Sequence, residues 1–360
     1  MHRFDALIVG GGPAGSTCAR TLRLAGWNVA VLDRARFPRD KVCGGWVTPG
    51  VFQLLDLAPA DYRASGLTLQ EITGFRTSVL GGAAIETRYP AVVSYAIRRC
   101  EFDNFLLRRA GVCVIDNTPL VTLRRREDRW IANDQLEAPV LVGAGGHFCP
   151  VARLLQGERD RASPVIARET EFLADDPAAP IAPDTPELFF CRDLEGYGWC
   201  VRKGDYVNAG IGRRGRADFA GHFHHFLSFL AASGRVQDPA HLLWHGHAYH
   251  AMGAGTRPLI AEGTLVVGDA AGLAYPESGE GIRPAVESGL LAARTLLAAS
   301  RFGRDELLPY EESMRAMHAP VTPTPKPLRP LVKQLGRRLL RSEMFTRRVV
   351  IDRWFLRSQA

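Results

Sequence analysis

A glycine-rich turn near the start of the chain constrains the fold more than any other feature. An apolar strand at residues 7–9 leads directly into Gly10, Gly12 and Gly15, and a helix and a second apolar strand follow. The first glycine of such a turn permits a tight bend, the second lets the backbone approach a diphosphate, and the third lets helix and strand pack closely. Asp33 ends the second strand, where it would accept hydrogen bonds from a ribose. This pattern predicts the first half of a dinucleotide-binding fold.

A second loop of small residues lies near the other end of the chain. Asp269 follows an apolar strand, and the segment 276–282 leads through Gly281 and Ile282 into a predicted helix. This arrangement resembles the loop by which FAD enzymes of the glutathione-reductase superfamily hold the far end of their cofactor. The resemblance implies that Asp269 binds the ribityl chain, and that the helix amides at Gly281 and Ile282 face the flavin ring. FAD is therefore the predicted cofactor.

Two further segments narrow the family. Residues 41–49 read Lys-Val-Cys-Gly-Gly-Trp-Val-Thr-Pro, and residues 99–103 read Arg-Cys-Glu-Phe-Asp. Together they resemble the geranylgeranyl-reductase-like branch of the FAD-dependent oxidoreductases, over most of the chain. Beyond the three glycines of the first turn, the resemblance implies cofactor contacts at Ala14, Asp33, Arg34, Cys43, Gly44, Gly45, Arg99, Val121, Asp269, Gly281 and Ile282.

The same resemblance suggests which residues meet the substrate. Tyr197 and Trp199 match half of an aromatic motif that shapes the prenyl cavity of the reductases, although its Phe-Pro half is missing. Alternate residues of a strand share one face, so both rings can enter one pocket; an ordinary aromatic pair in a sheet core is the alternative. Trp46 is a third predicted substrate contact. Cys43 is the predicted catalytic residue, against the alternative of a small buried apolar side chain.

The predicted function is flavin-mediated hydride transfer to an apolar substrate of isoprenoid or lipid type. An FAD-dependent monooxygenase is one alternative, and a non-catalytic flavin-binding regulatory protein is another. The turn at 143–146 lacks the aspartate that related hydroxylases use with NAD(P)H, so the electron donor stays open between NAD(P)H and another reductant.

The predicted architecture is α/β, with a Rossmann-like FAD-binding domain, a discontinuous β-sheet substrate domain of α+β character, and a C-terminal helical tail. Short apolar runs without intervening helices mark antiparallel sheet. The predicted domain bounds are 1–70, 98–162 and 251–319 for FAD, and 71–97 with 163–250 for the substrate. A proline-rich linker at 320–330 and a basic helical segment at 331–360 complete the chain.

The charge distribution and the composition limit the kinds of partner that the chain can bind. The net charge is +7, but residues 325–360 carry ten Lys or Arg against two acidic residues, so the rest of the chain is almost neutral. This distribution argues against nucleic-acid binding by the body. The tail predicts an amphipathic helix that either docks on its own domain, which we favour, or makes peripheral contact with an anionic membrane. Seven cysteines without metal-type spacing predict a cytoplasmic protein, and neither cysteines nor histidines predict a metal site.

Overall fold

The computed structural model describes residues 1–156, 164–174, 180–215, 217–251, 258–317 and 328–357. The strands are, in chain order, β1 (His2–Arg3), β2 (Ala6–Val9), β3 (Val29–Leu32), β4 (Trp46–Val47), β5 (Leu69–Ile72), β6 (Gly74–Val79), β7 (Ile85–Arg88), β8 (Ser94–Ile97), β9 (Cys113–Ile115), β10 (Leu123–Arg126), β11 (Arg129–Ala132), β12 (Leu136–Ala138), β13 (Val140–Gly143), β14 (Val165–Leu173), β15 (Glu187–Phe190), β16 (Gly196–Lys203), β17 (Tyr206–Arg214), β18 (His245–Tyr249), β19 (Ile260–Ala261) and β20 (Thr264–Val266).

The α-helices are α1 (Pro13–Leu24), α2 (Pro49–Leu54), α3 (Pro59–Ala64), α4 (Arg99–Ala110), α5 (Pro150–Gln156), α6 (Phe219–Ala232), α7 (Ile282–Ala298), α8 (Arg304–Met317), α9 (Arg329–Leu339) and α10 (Glu343–Phe345). Short 3₁₀ turns lie at Gly146–Phe148 and Gly268–Ala270, and a π-helix follows α10 at Thr346–Phe355. None of the helices in the described ranges combines the length and the apolar character needed to cross a bilayer.

A six-stranded sheet carries the glycine-rich turn. Its order is β19-β20-β13-β2-β3-β9, and all neighbours run parallel except β19 and β20. The strands β2, β3 and β13 are buried along almost their whole length, as expected for a parallel sheet covered on both faces. Helix α1 packs between α4 and α7. This sheet confirms the predicted Rossmann-like α/β fold.

A seven-stranded sheet forms the second layer, in the order β18-β14-β17-β16-β15-β6-β7. Its neighbours are antiparallel except β15 and β6. Helix α6 covers one face through Phe223, Phe226 and Leu230. The opposite face presents Tyr197 and Trp199, whose ring centroids lie 6.0 Å apart, so the predicted pair does share one side of β16.

A small sheet joins segments that the sequence analysis assigned to different domains. Strand β8 pairs with both β4 and β5, and all three pack beside α2 and α4 through Val47, Phe52 and Phe102. Residues 94–97 thus pair with residues 46–47 of the predicted FAD-binding segment. The predicted domain bounds stay a prediction.

The C-terminal segment, residues 328–357, docks on the seven-stranded sheet. Leu340, Val350, Ile351 and Phe355 are buried against Phe75, Leu188 and their neighbours in that layer. Helix α9 begins at Arg329, within the predicted linker, while residues 320–327 of that linker lie outside the described residues. The segment therefore forms one wall of the molecule, as docking requires.

Candidate functional site

A cavity of about 870 Å³ lies between the six-stranded and seven-stranded sheets and gathers most of the predicted site residues. The predicted residues that line it are Gly10, Gly12, Ala14, Asp33, Arg34, Cys43, Gly44, Gly45, Trp46, Arg99, Tyr197, Trp199, Asp269, Gly281 and Ile282. They come from seven separate stretches of the chain, so the fold creates a single site from distant residues. Gly15 and Val121 are the two predicted residues that do not line it.

The glycine-rich turn is packed so tightly that side chains have no room. A Cβ at Gly10 would lie 2.3 Å from the Ala144 carbonyl oxygen, and Gly10 has a φ of +117°. A Cβ at Gly15 would lie 1.9 Å from the Gly10 carbonyl oxygen. Gly15 therefore acts behind the cavity wall, where it lets α1 pack against the turn. The start of α1 has no side-chain cap, and the backbone N–H groups of Gly12 and Ala14 on either side of Pro13 belong to residues that line the cavity, a favourable place for a diphosphate.

Asp33 holds this turn in place. One carboxylate oxygen accepts the Gly11 N–H at 2.7 Å, and the other accepts the Ala35 N–H at 2.8 Å. A carboxylate has about four lone-pair sites, so about two remain for the hydroxyls of a ribose. The side chain is buried, which restricts it to this orientation.

Two arginines place positive charge beside the turn. Arg99 binds Asp103 through two hydrogen bonds of 2.8 and 2.9 Å, and Arg39 approaches the same carboxylate at 3.2 Å. Arg39 also lies over Gly12, where a Cβ would meet its guanidinium at 3.5 Å. With two guanidiniums and one carboxylate, the cluster keeps a net positive charge that suits a diphosphate.

The second loop brings another ionised group into the cavity. Lys41 Nζ lies 2.9 Å from His247 Nε2, which in turn lies 3.8 Å from the Asp269 carboxylate. Burial alone would raise the pKa of Asp269, but the His247 hydrogen bond and the charges of Lys41 and Arg99 lower it to about 2. Asp269 is therefore an anionic acceptor, the form that binds hydroxyl groups.

Buried charges beneath Cys43 fix the loop that carries it. Glu169 accepts the Cys43 N–H at 2.5 Å, and Lys203 donates to the Cys43 carbonyl at 3.3 Å. Lys203 also binds Glu171 at 2.8 Å and has no solvent exposure. Burial raises the pKa of Glu169 to about 7. The Cys43 thiol accepts the Gly45 N–H at 3.4 Å and lies beside the Arg99 guanidinium.

Aromatic side chains form the apolar half of the cavity. Trp46 stacks on Phe355 of the C-terminal segment with a centroid distance of 5.3 Å, and Tyr197 packs edge-on against Phe355 at 5.5 Å. Trp199 donates its indole N–H to Asn208 at 2.7 Å, and Tyr197 donates its hydroxyl to the Ser278 carbonyl. Because the polar atoms of Tyr197 and Trp199 are bonded elsewhere, these two rings offer apolar faces to a ligand.

The structure does not place Val121 at the cavity. Its side chain is 76% exposed, and its N–H donates to Asn133 at 2.8 Å. Pro119 and Leu120 line the cavity in its place. The predicted cofactor contact at Val121 therefore lies outside the cavity lining, one or two residues after the residues that reach it.

Comparison with known proteins identifies this kind of site. The family model described as FAD dependent oxidoreductase matches residues 5–96, which include the glycine-rich turn, Asp33 and the Cys43 loop. The chain is an FAD-dependent oxidoreductase. Its fold is that of a geranylgeranyl bacteriochlorophyll reductase-like protein from Thermoplasma acidophilum, with a TM-score of 0.74, 21% identity, and coverage of 100% of this chain and 93% of that one. Flavin-dependent halogenases share the fold, one of them solved with FAD bound.

Curated relatives confirm the resemblance to geranylgeranyl reductases. The oxidoreductase is 29% identical to a menaquinone reductase of Mycobacterium tuberculosis over 340 residues, covering 83% of this chain and 81% of the relative. It is 25% identical to a geranylgeranyl diphosphate reductase of Rhodobacter capsulatus over 320 residues, covering 84% and 77%.

The residues of the cavity fit FAD. The side-chain-free turn and the open α1 amides suit the diphosphate, Asp33 keeps free lone pairs for a ribose, and the anionic Asp269 suits the ribityl hydroxyls. The first amides of α7 at Gly281 and Ile282, which also lack a side-chain cap, suit the electron-rich edge of the flavin ring. The cavity thus offers groups that suit the diphosphate, a ribose, the ribityl chain and the flavin ring of FAD.

Sequence reasoning missed several residues of the site. These are Arg39, Lys41, Glu169, Lys203, Asn208, His247, Tyr249, Glu280 and Phe355. Arg39 and Lys41 were within reach of prediction, since both flank the Cys43 stretch. Glu280 lies within the recognised segment 276–282, whereas the others lie far from every segment that the sequence marks. Among the described residues, no group of three or more His, Cys, Asp or Glu side chains is arranged to hold a metal ion.

Proposed function

We propose that the oxidoreductase reduces a carbon–carbon double bond in an apolar, isoprenoid-type chain. The observation that carries this proposal is the continuity of the aromatic wall of Trp46, Tyr197, Trp199 and Phe355 with the cofactor-binding half of one cavity. Relatives named as a menaquinone reductase and as geranylgeranyl reductases support it, because both substrate classes carry prenyl chains. The polar half binds the cofactor, and the aromatic half orients the substrate.

Bound FAD supplies hydride transfer, while the protein supplies position and exclusion of water. The aromatic wall holds the apolar chain against the cofactor half and keeps water from the reacting carbons. Cys43 stays our proposed catalytic residue, since its thiol lines the cavity beside Arg99. The electron donor is either NAD(P)H or another reductant.

A second chamber of about 270 Å³ extends the apolar half beneath the C-terminal segment. It shares Tyr197, Gly212, Tyr249 and Gly279 with the main cavity. Apolar side chains from both the sheet and the segment line it, among them Phe190, Leu194, Leu340, Phe345 and Trp354. We propose that this chamber receives the far end of a long substrate.

Anaerobic turnover tests the proposed function. The dithionite-reduced protein is mixed with prenyl compounds, and we expect rapid flavin reoxidation and a product that has gained two hydrogen atoms by mass spectrometry. Non-prenylated analogues of the same head groups are the control. Failure of every prenyl compound to reoxidise the flavin without oxygen would contradict the proposal, and an oxygenated product formed only in air would favour the monooxygenase.

We also propose peripheral contact between helix α9 and an anionic membrane. Leu331 is 63% exposed and Leu335 is 53% exposed, on a helix that also exposes Arg337 and Arg338. Exposed apolar side chains beside basic ones are typical of helices that lie in a bilayer interface. The docked state of the segment leaves this face open.

Vesicle sedimentation tests this contact. Replacing Leu331 and Leu335 with serine should weaken binding to phosphatidylglycerol vesicles by about 100-fold or more, because two leucines buried in the bilayer interface together contribute about 3 kcal/mol or more. Leu24→Ser is the matched control, since Leu24 is 72% exposed on α1. Equal sedimentation of the double variant and the parent protein would rule the contact out.

A further inference from the structure

A buried carboxyl group lines the cavity and has no role in the account so far. Glu280 lies between Gly279 and Gly281, immediately before α7. Within the described chain, neither of its carboxyl oxygens is exposed to solvent and neither has a hydrogen-bond partner. Its backbone is fixed, since its carbonyl accepts the Tyr275 N–H at 2.9 Å and its N–H donates to Ser278 at 3.3 Å. An unpartnered buried carboxyl is uncommon and calls for a functional reason.

The charged side chains that face Glu280 form ion pairs with other residues. From α7, Arg283 binds Glu287 at 2.8 Å. From the C-terminal segment, Arg357 binds Glu277 at 3.3 Å and lies 3.2 Å from the centroid of the Tyr275 ring. From β16, Tyr197 adds a neutral phenol. Burial is the dominant effect on Glu280 and raises its pKa to about 7, against the weaker opposing effect of the two arginines.

The other acidic groups in or near the cavity are less suited to release a proton. Asp269 is already ionised at neutral pH, and Glu169 lies beneath the Cys43 loop, where it binds the Cys43 N–H and does not line the cavity. Burial raises the pKa of both Tyr197 and Tyr249 well above the usual phenol range. Glu280, in contrast, is protonated below about pH 7, and within the described chain no side chain forms a hydrogen bond with its carboxyl, although the Arg283 backbone N–H lies near enough to lower its pKa slightly.

We propose that Glu280 is the general acid that protonates the substrate double bond. This inference rests on the proposed function. In the step, the O–H bond of Glu280 breaks as its proton forms a C–H bond at one alkene carbon, and the other carbon takes the hydride that FAD, when bound and reduced, would supply. The carboxylate then recovers a proton from solvent, so the alkene gains one hydride and one proton overall.

Infrared titration tests the assignment without substrate. In the FAD-loaded protein, we expect carboxylic-acid C=O bands from Glu280 and Glu169 that disappear as the pH rises through about 7. Glu280→Gln should lose one of these bands and keep the other, whereas Glu312→Gln, a change on the exposed face of α8, should keep both. Absence of any Glu280-dependent band between about pH 5 and 9 would overturn the assignment.

Single-turnover kinetics supply the second test. The parent protein should slow as the pH rises above about 7, and Glu280→Gln should be at least about 100-fold slower with no such pH dependence. Glu280→Asp should restore part of the rate together with the pH dependence. An unchanged rate and pH profile in Glu280→Gln would overturn the role of Glu280 alone, whereas no prenyl turnover by the parent protein would overturn the proposed function itself.

Discussion

Replacing Gly15 with alanine will weaken FAD binding by about 100-fold or more, because the new methyl group would lie 1.9 Å from the Gly10 carbonyl oxygen. The clash is with backbone, so rotation of a side chain does not relieve it. Helix α1 must move away from the turn, and its first amides then leave the position that suits the diphosphate. Flavin content and fluorescence titration of the apoprotein measure the loss.

A glycine outside the site separates this effect from a general cost of alanine. A Cβ at Gly303 meets no atom within 4 Å, and its φ lies outside the left-handed region. Gly303→Ala should therefore bind FAD as the parent protein does, with the same far-ultraviolet circular dichroism. Gly15→Ala protein that is folded and carries a full complement of FAD would show that the packing of this turn does not govern cofactor binding.

Replacing Lys203 with methionine will lower the free energy of unfolding by about 3–5 kcal/mol. Its ammonium group is fully buried and bonds both Glu171 and the Cys43 carbonyl. Methionine has a similar length but no donor, so the partly buried Glu171 carboxylate and the Cys43 carbonyl each lose a hydrogen bond. The Cys43 loop loses its support as well, and substrate reduction should fall with it. Urea denaturation at constant slope gives the change in free energy.

A surface ion pair provides the matched control. Lys333 lies 2.6 Å from Glu195, with both side chains about one-third exposed. Exposed pairs contribute little, so Lys333→Met should cost at most about 1 kcal/mol. Equal losses from the two substitutions would contradict the structural role given to Lys203.

The site residues that can be predicted from the sequence are those that belong to a short motif. Gly10, Gly12 and Gly15 can be recognised because their spacing and the flanking strand and helix all occur within one short segment, and Asp33 stands at the end of the next strand of the same motif. Asp269 can be predicted for a similar reason, because it directly follows an apolar strand. The role of each of these residues can be predicted from the residues next to it in the sequence, without knowledge of the tertiary fold.

The residues that sequence reasoning missed depend on contacts between distant segments. Glu169 and Lys203 support Cys43 from strands more than 100 residues later, and no local spacing marks them as partners. Phe355 reaches the cavity only because the C-terminal segment docks on the sheet. Glu280 sits within a recognised loop, but only its burial distinguishes it from a solvated glutamate. The prediction for Val121 failed to match the cavity lining for the same reason, because the tertiary fold decides which residues of this turn face the cavity. Pro119 and Leu120 face it, whereas Val121 is exposed.

Quantitative flavin analysis of the purified protein tests the central claim most directly. We expect a yellow protein whose heat-released cofactor is FAD, at about one molecule per chain, and whose apoprotein recovers the same spectrum when FAD is added. A colourless protein that takes up no FAD from an excess in solution would contradict the account of the cavity as the cofactor site.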